Sequence, residues 1–201
     1  MSSVYFNGFV LTLGLIMAIG AQNAHVLRQG LRGEHVLLTV SVSALCDMLL
    51  ITLGIAGLGS LFVANPELTS VARFGGAAFL IWYGGRALLA AVRGGRAVDV
   101  AEHKRMSRAQ ALLAAAGFSL LNPHAYLDTV VLLGSIGSQQ ADDLRPLFAA
   151  GAITASIVWF VLLGYGARLL VPLFSRPMAW RVLDGLVALM LWAIAASLLL
   201  A

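Results

Sequence analysis

Six blocks of apolar residues, at 4–27, 36–63, 71–92, 109–136, 147–173 and 179–200, fix the solvent in which this chain folds. At a 1.5 Å rise per residue, about twenty helical residues cross the roughly 30 Å of hydrocarbon in a bilayer. In lipid every backbone N–H and C=O must find its partner inside the protein, which leaves helices as the natural way to span. The blocks therefore predict an all-α membrane protein with six transmembrane helices. Composition agrees: 11% of the residues are charged, against about 25% in soluble domains, and the mean hydropathy is +0.91. The first block has no Lys or Arg ahead of its apolar core, so a membrane helix is expected there rather than a cleaved signal peptide.

Basic residues set the expected orientation. The connections after helices one, three and five carry Arg28, Arg32, Arg93, Arg96, Lys104, Arg105, Arg108, Arg176 and Arg181, with Arg86 and Arg168 at helix ends nearby. The opposite side has Arg73 and Arg145. Lys and Arg collect in cytoplasmic loops, so both termini are expected outside the cytoplasm, in the cell (inner or plasma) membrane. The net charge of +4 is then a topology label and gives no reason to invoke nucleic acid. The hydrophilic linker 93–108 separates two units, 1–92 and 109–201, of three helices each. Three is odd, so the second unit enters the membrane inverted relative to the first, an architecture common among secondary transporters. Short internal matches fit an inverted 3+3 repeat: Asn23-Ala24-His25 with Asn122-Pro123-His124, Leu53-Gly54 with Leu163-Gly164, and Trp82 with Trp192.

A charged side chain at the centre of a membrane helix costs about 2.5–3.5 kcal/mol on insertion scales, so it belongs in the bundle interior. Asp47 lies near mid-depth of the second block, on a helical stripe with Ser43, Gly54 and Gly57. Asp128 lies in the fourth, with His124 one turn before it on the same face. Pro123 follows Asn122 in that block and frees a backbone carbonyl, which at membrane depth must be satisfied by protein or a watery cavity. Each residue also has a plainer reading. Asp47 could pair with an arginine to hold the bundle, Pro123 could only kink its helix, and His124 could lock Asp128 in place rather than touch a ligand. Asp184 reads as a first-turn carboxylate at a helix start. Together, two deep carboxylates and two Asn-containing irregularities point to a cavity for a cation, with freed N–H groups for a carboxylate. A basic amino acid, a metal cation and a proton all fit, and these residues alone do not separate them. Cys46 is the one cysteine, a small core hydrophobe, so dithiol chemistry within the chain is excluded. No phosphate loop, Ser/His/Asp grouping or cofactor motif suggests an enzyme.

The stretches GLIMAIGAQNAHVLRQG, LLNPHAYLDTVVLLG and AGAITASIVWFVLLGYGARLL together resemble the LysE/ArgO-type basic amino-acid exporter family, in order and over nearly the whole chain. The resemblance implies export of L-lysine or L-arginine, driven by the proton gradient. It carries the family's motif onto Gln22, Asn23 and Gln29, onto Asp47, and onto Asn122, Pro123, Tyr126 and Asp128. The substrate site is accordingly expected from Gln22, Asn23, Asp47, Asn122, His124, Tyr126 and Asp128, with Pro123 as the helix break. Asp47 and Asp128 are expected to hold a proton and the substrate cation in turn, as the two halves alternate access. The competing expectation is an exporter of neutral amino acids or of a divalent metal. Ala21 stands where family members often have proline, so helix one is expected to be less broken than helix four, and His25 replaces an expected apolar residue. Gly75-Gly76 and Gly84-Gly85 suit close packing, within the bundle or in a homodimer.

Overall fold

The structure, a computed structural model, describes residues 2–17, 20–58, 66–92, 106–122, 125–172 and 177–200. The first apolar block is not one straight span. Helix α1 (Ser2–Ile16) and helix α2 (Ala21–Arg32) meet at 81°. Gly20, just before α2, has an extended backbone (φ −116°, ψ 177°). Helix one is thus broken with Ala21 in place of proline.

Helix α3 (Val36–Leu53) passes into a π-helical turn, Gly54–Leu58. Gly57 adopts φ 91° there, a conformation open to glycine because it lacks Cβ. The predicted stripe on this helix holds for the buried Ser43, Asp47 and Gly54, whereas Gly57 is exposed where the helix unwinds. Helix α4 runs from Pro66 to Val92 and helix α5 from Arg108 to Leu120. Ser107 and Gln110 cap α5 reciprocally, satisfying two otherwise orphaned donors. After the break, a π-helical stretch (Tyr126–Leu133) leads into α6 (Gly134–Ser138). Helix α7 (Arg145–Gly166) ends in a 3-10 turn, and α8 covers Pro177–Leu200.

By length and apolarity, Val36–Gly57, Arg145–Leu170 and Met178–Ser197 can each cross a membrane, and there are four such spans if the bent α1–α2 pair is counted as one. Two shorter apolar helices, Ala77–Val92 and Asp128–Ser138, accompany them. The described residues thus form an all-helical membrane protein.

Glycine sets how closely the elements approach. A Cβ on Gly8 of α1 would strike the Phe148 carbonyl of α7, and one on Gly151 would strike the Tyr5 carbonyl. Gly30 of α2 meets the Gly164 backbone of α7 in the same way, and Gly134 lies on the backbone of Gly54. Small residues let membrane helices pack backbone to backbone, where dispersion replaces the missing hydrophobic drive. Bulkier packing fills the spaces between, with Phe118, Phe148 and Phe160 fully buried. On the other side α8 packs along α4. Gly84 there makes room for the Trp192 indole, which donates to the Ile81 carbonyl at 3.2 Å.

Candidate functional site

A cavity of about 250 Å³ lies where the breaks in the first and fourth apolar blocks face α3. Gln22 and Asn23 reach it from the start of α2, Asp47 from mid-α3, Asn122 from the end of the α5 segment, and Asp128 from the π-helical stretch. Five of the seven expected substrate residues therefore share one space. Tyr126 does not line it; its hydroxyl donates to the Leu120 carbonyl at 2.8 Å and ties the two sides of the break together. Pro123 and His124 lie outside the described residues.

Asp47 is buried, and neutral donors hold it from two elements. Gln22 Nε2 donates to Oδ1 at 3.2 Å, and Ser156 Oγ of α7 donates to Oδ2 at 2.9 Å. The same Gln22 amide donates to Ser119 Oγ at 2.9 Å. No cation is paired with Asp47 among the described residues, so its plainer role as half of a bundle-holding ion pair is not the one seen. A buried carboxylate held only by neutral groups carries an uncompensated cost when ionised, relieved by a proton or by a cation entering beside it.

Asn23 repairs the break in helix one. Its Nδ2 donates to the Ile16 carbonyl at 2.6 Å, one of those that α1 leaves open at its end. Its Oδ1 accepts from Trp159 Nε1 at 3.1 Å. Asp128 stands on the π-helical stretch, a geometry that recurs at functional sites.

The sequence reading missed Ser119, Ser156, Trp159 and the cavity-lining Thr12 and Thr129. Thr12 is buried and its hydroxyl has no partner among the described residues. Gln29 lies away from the cavity, with its amide donating to Met106 Sδ at 3.1 Å. His25 is also outside, its ring stacked on Phe118 with centroids 4.9 Å apart. Neither ring nitrogen of His25 has a hydrogen-bond partner among the described residues.

Arg32, Arg108 and Arg181, expected in connections, lie in α2, α5 and α8, and two further charged residues need correction. Asp184 is not a first-turn carboxylate, because α8 begins at Pro177 and Asp184 lies two turns in. Arg28 is not a loop residue but part of α2. They pair at 3.1 Å, with side-chain exposures of 13% and 5%. A buried cluster of Leu31, Ala167 and Trp180 closes around the same end of α2. The cavity, by contrast, extends past Asp47 toward Thr12, Leu15 and Ile16 of α1.

The LysE type translocator family model matches residues 13–201. The chain belongs to this family. As a LysE type translocator it is a transporter and not an enzyme. Arginine exporter protein ArgO of Yersinia enterocolitica is 41% identical over 98% of this chain and 97% of its own. A candidate amino-acid transporter of Aeromonas salmonicida, YggA, is 43% identical over 98% of this chain and 96% of its own. Another from Mycobacterium bovis, Mb0498, is 47% identical over 92% of this chain and 91% of its own. No solved structure matches the chain.

Proposed function

We propose that this LysE type translocator exports a basic amino acid, arginine or lysine, from the cytoplasm in exchange for protons. The observation that carries this reading is a buried carboxylate without a cationic partner, Asp47, in a cavity shared with Asp128, Gln22, Asn23 and Asn122. A substrate ammonium or guanidinium supplies the missing charge, and the Thr12 hydroxyl offers a further contact. At about 250 Å³ the cavity lies below the roughly 300–1,000 Å³ of drug-sized pockets, which suits one small metabolite. The ArgO relative supports arginine as substrate. For a divalent metal, no three His, Cys, Asp or Glu side chains come together among the described residues.

In this mechanism Asp47 and Asp128 hold a proton in one state and the substrate cation in the other, so each releases what the other side of the membrane supplies. The six apolar blocks act as an inverted 3+3 repeat around the cavity. Supporting the repeat, Gly30 of broken helix one meets Gly164, while Gly134 of broken helix four meets Gly54. In both crossings the later part of a broken helix lies on the second long helix of the other half. The end of α2 beyond the cavity, sealed by Arg28–Asp184 and Trp180, is the cytoplasmic barrier. Three arginine–aromatic pairs mark a membrane interface: Arg32 over Trp180, Arg86 over Trp82 and Arg168 over Tyr165. All three arginines fall on the predicted cytoplasmic side, where interfacial aromatics and cations gather. Gly75 and Gly85 face open space, which leaves room for a second copy against α4.

Purified protein in liposomes loaded with labelled arginine tests the reading. Efflux should follow an imposed proton gradient, saturate, and be blocked by excess lysine but not by alanine. Efflux blocked by alanine, or indifferent to arginine, would overturn it.

A further inference from the structure

A second concavity lies away from the cavity, where α3 begins and α7 ends. It is a groove of about 580 Å³, walled by His35, Leu37 and Leu38 on one side, by Tyr165 and Arg168 on another, and reached by Arg108 at the first turn of α5. His35 donates from Nε2 to the Met106 carbonyl at 2.8 Å, pinning the start of α3 to the segment that leads into α5. The α3 wall is thereby tied to the side of the groove that carries Arg108. Neither Arg108 nor Arg168 has a carboxylate partner among the described residues, and no acidic residue lines the groove. Glu34 precedes His35 in the chain but is not part of the lining.

Depth decides which anion suits it. The spans Val36–Gly57 and Arg145–Leu170 begin and end at this groove, so it sits at the boundary between hydrocarbon and headgroups. Its apolar edge faces outward: Leu37 is 67% exposed and Leu169, next to Arg168, is 85% exposed. A soluble anion would use the arginines and leave this surface bare, whereas a phospholipid satisfies both, with phosphate on the cations and an acyl chain along the leucines. Basic pockets between membrane helices are suited to anionic headgroups.

We propose that Arg108 and Arg168 form a specific seat for the headgroup phosphate of an anionic phospholipid, with Leu37 and Leu38 holding its acyl chain. The seat joins the first half of the chain, through α3, to the second, through α5 and α7.

The test is native mass spectrometry of the purified protein in detergent, titrated with phosphatidylglycerol or phosphatidylcholine. Phosphatidylglycerol should bind as a discrete adduct that phosphatidylcholine does not form. Each of R108Q and R168Q should weaken it about fivefold, and the double variant roughly 30-fold, from about 1 kcal/mol per basic residue near a membrane surface. R86Q, which removes an arginine outside the groove, should leave it unchanged. Equal retention of both lipids, or wild-type retention by the double variant, overturns the proposal. So does displacement by inorganic phosphate as effective as displacement by the anionic lipid, since the seat would then be one for soluble anions.

Discussion

Replacing Asp184 by Asn removes the carboxylate opposite Arg28 and leaves the guanidinium in place with only 13% of its side chain exposed. Breaking a buried ion pair by deleting one partner costs about 3–5 kcal/mol. Both groups are well shielded, and Arg28 Nε already lacks a hydrogen-bond partner among the described residues, so solvent offers little relief. At 1.4 kcal/mol per factor of ten, the lower figure is roughly a 150-fold change in an equilibrium. If the pair forms only while the cytoplasmic end is shut, its loss moves the protein by that factor toward the open state, until the open state dominates. A reporter cysteine at Thr129, which lines the cavity, in a Cys46→Ala background reads this directly. In inside-out vesicles a membrane-impermeant thiol reagent should label it faster in Asp184→Asn and in Arg28→Gln, by up to roughly two orders of magnitude. The exchanged pair R28D/D184R should return labelling toward the parent rate. If both single variants insert normally and are labelled at the parent rate, the pair is not a cytoplasmic barrier.

Three further outcomes follow from the geometry. Asp47→Asn should abolish arginine efflux from proteoliposomes while insertion is retained, and full efflux would remove Asp47 from the transport step. Gly151→Ala places a methyl against the Tyr5 carbonyl and should destabilise the detergent-solubilised protein by about 1–3 kcal/mol; Gly14→Ala, which meets nothing, should be neutral or slightly stabilising in the same thermal assay. Asn23→Ala leaves the Ile16 carbonyl and the Trp159 indole without their partner, a loss of about 1–3 kcal/mol, seen as a lower unfolding temperature and altered Trp159 fluorescence. An unchanged unfolding temperature would mean the break in helix one does not depend on that clamp.

What could be read from the sequence was what the bilayer forces to be local. Lengths of apolar sequence located α3, α7 and α8, and the cost of charge at depth singled out Asp47 and Asp128. Asn122-Pro123 likewise announced an irregularity through backbone chemistry. The partners were not legible, because periodicity carries no information about which helix lies opposite. Ser119 and Ser156 look like ordinary small residues in apolar helices until Gln22 and Asp47 are placed beside them. Asn23 hinted at an irregularity in the first block but not at a turn of that size before Ala21, since Met17 and Gly20 are as compatible with a continuous helix as with its end. Arg28 and Asp184 were misplaced for one reason: hydropathy marks where apolar sequence stops, and both helices differ from those marks, α2 continuing to Arg32 and α8 beginning at Pro177.

The glycine crossings bear on how the two halves can move. Interdigitated side chains behave like meshed teeth, and parts joined that way shift only by jumping between fitted positions. At Gly8 with Phe148, Gly30 with Gly164 and Gly54 with Gly134, backbone rests directly on backbone, and each of these contacts joins the first half of the chain to the second. Such surfaces are bearings. They permit the small sliding of packed helices by which shear motions proceed, without any side chain changing rotamer. The meshed contacts, such as the aromatic ring cluster of Phe79, Tyr83 and Phe118, then mark what must travel as a block.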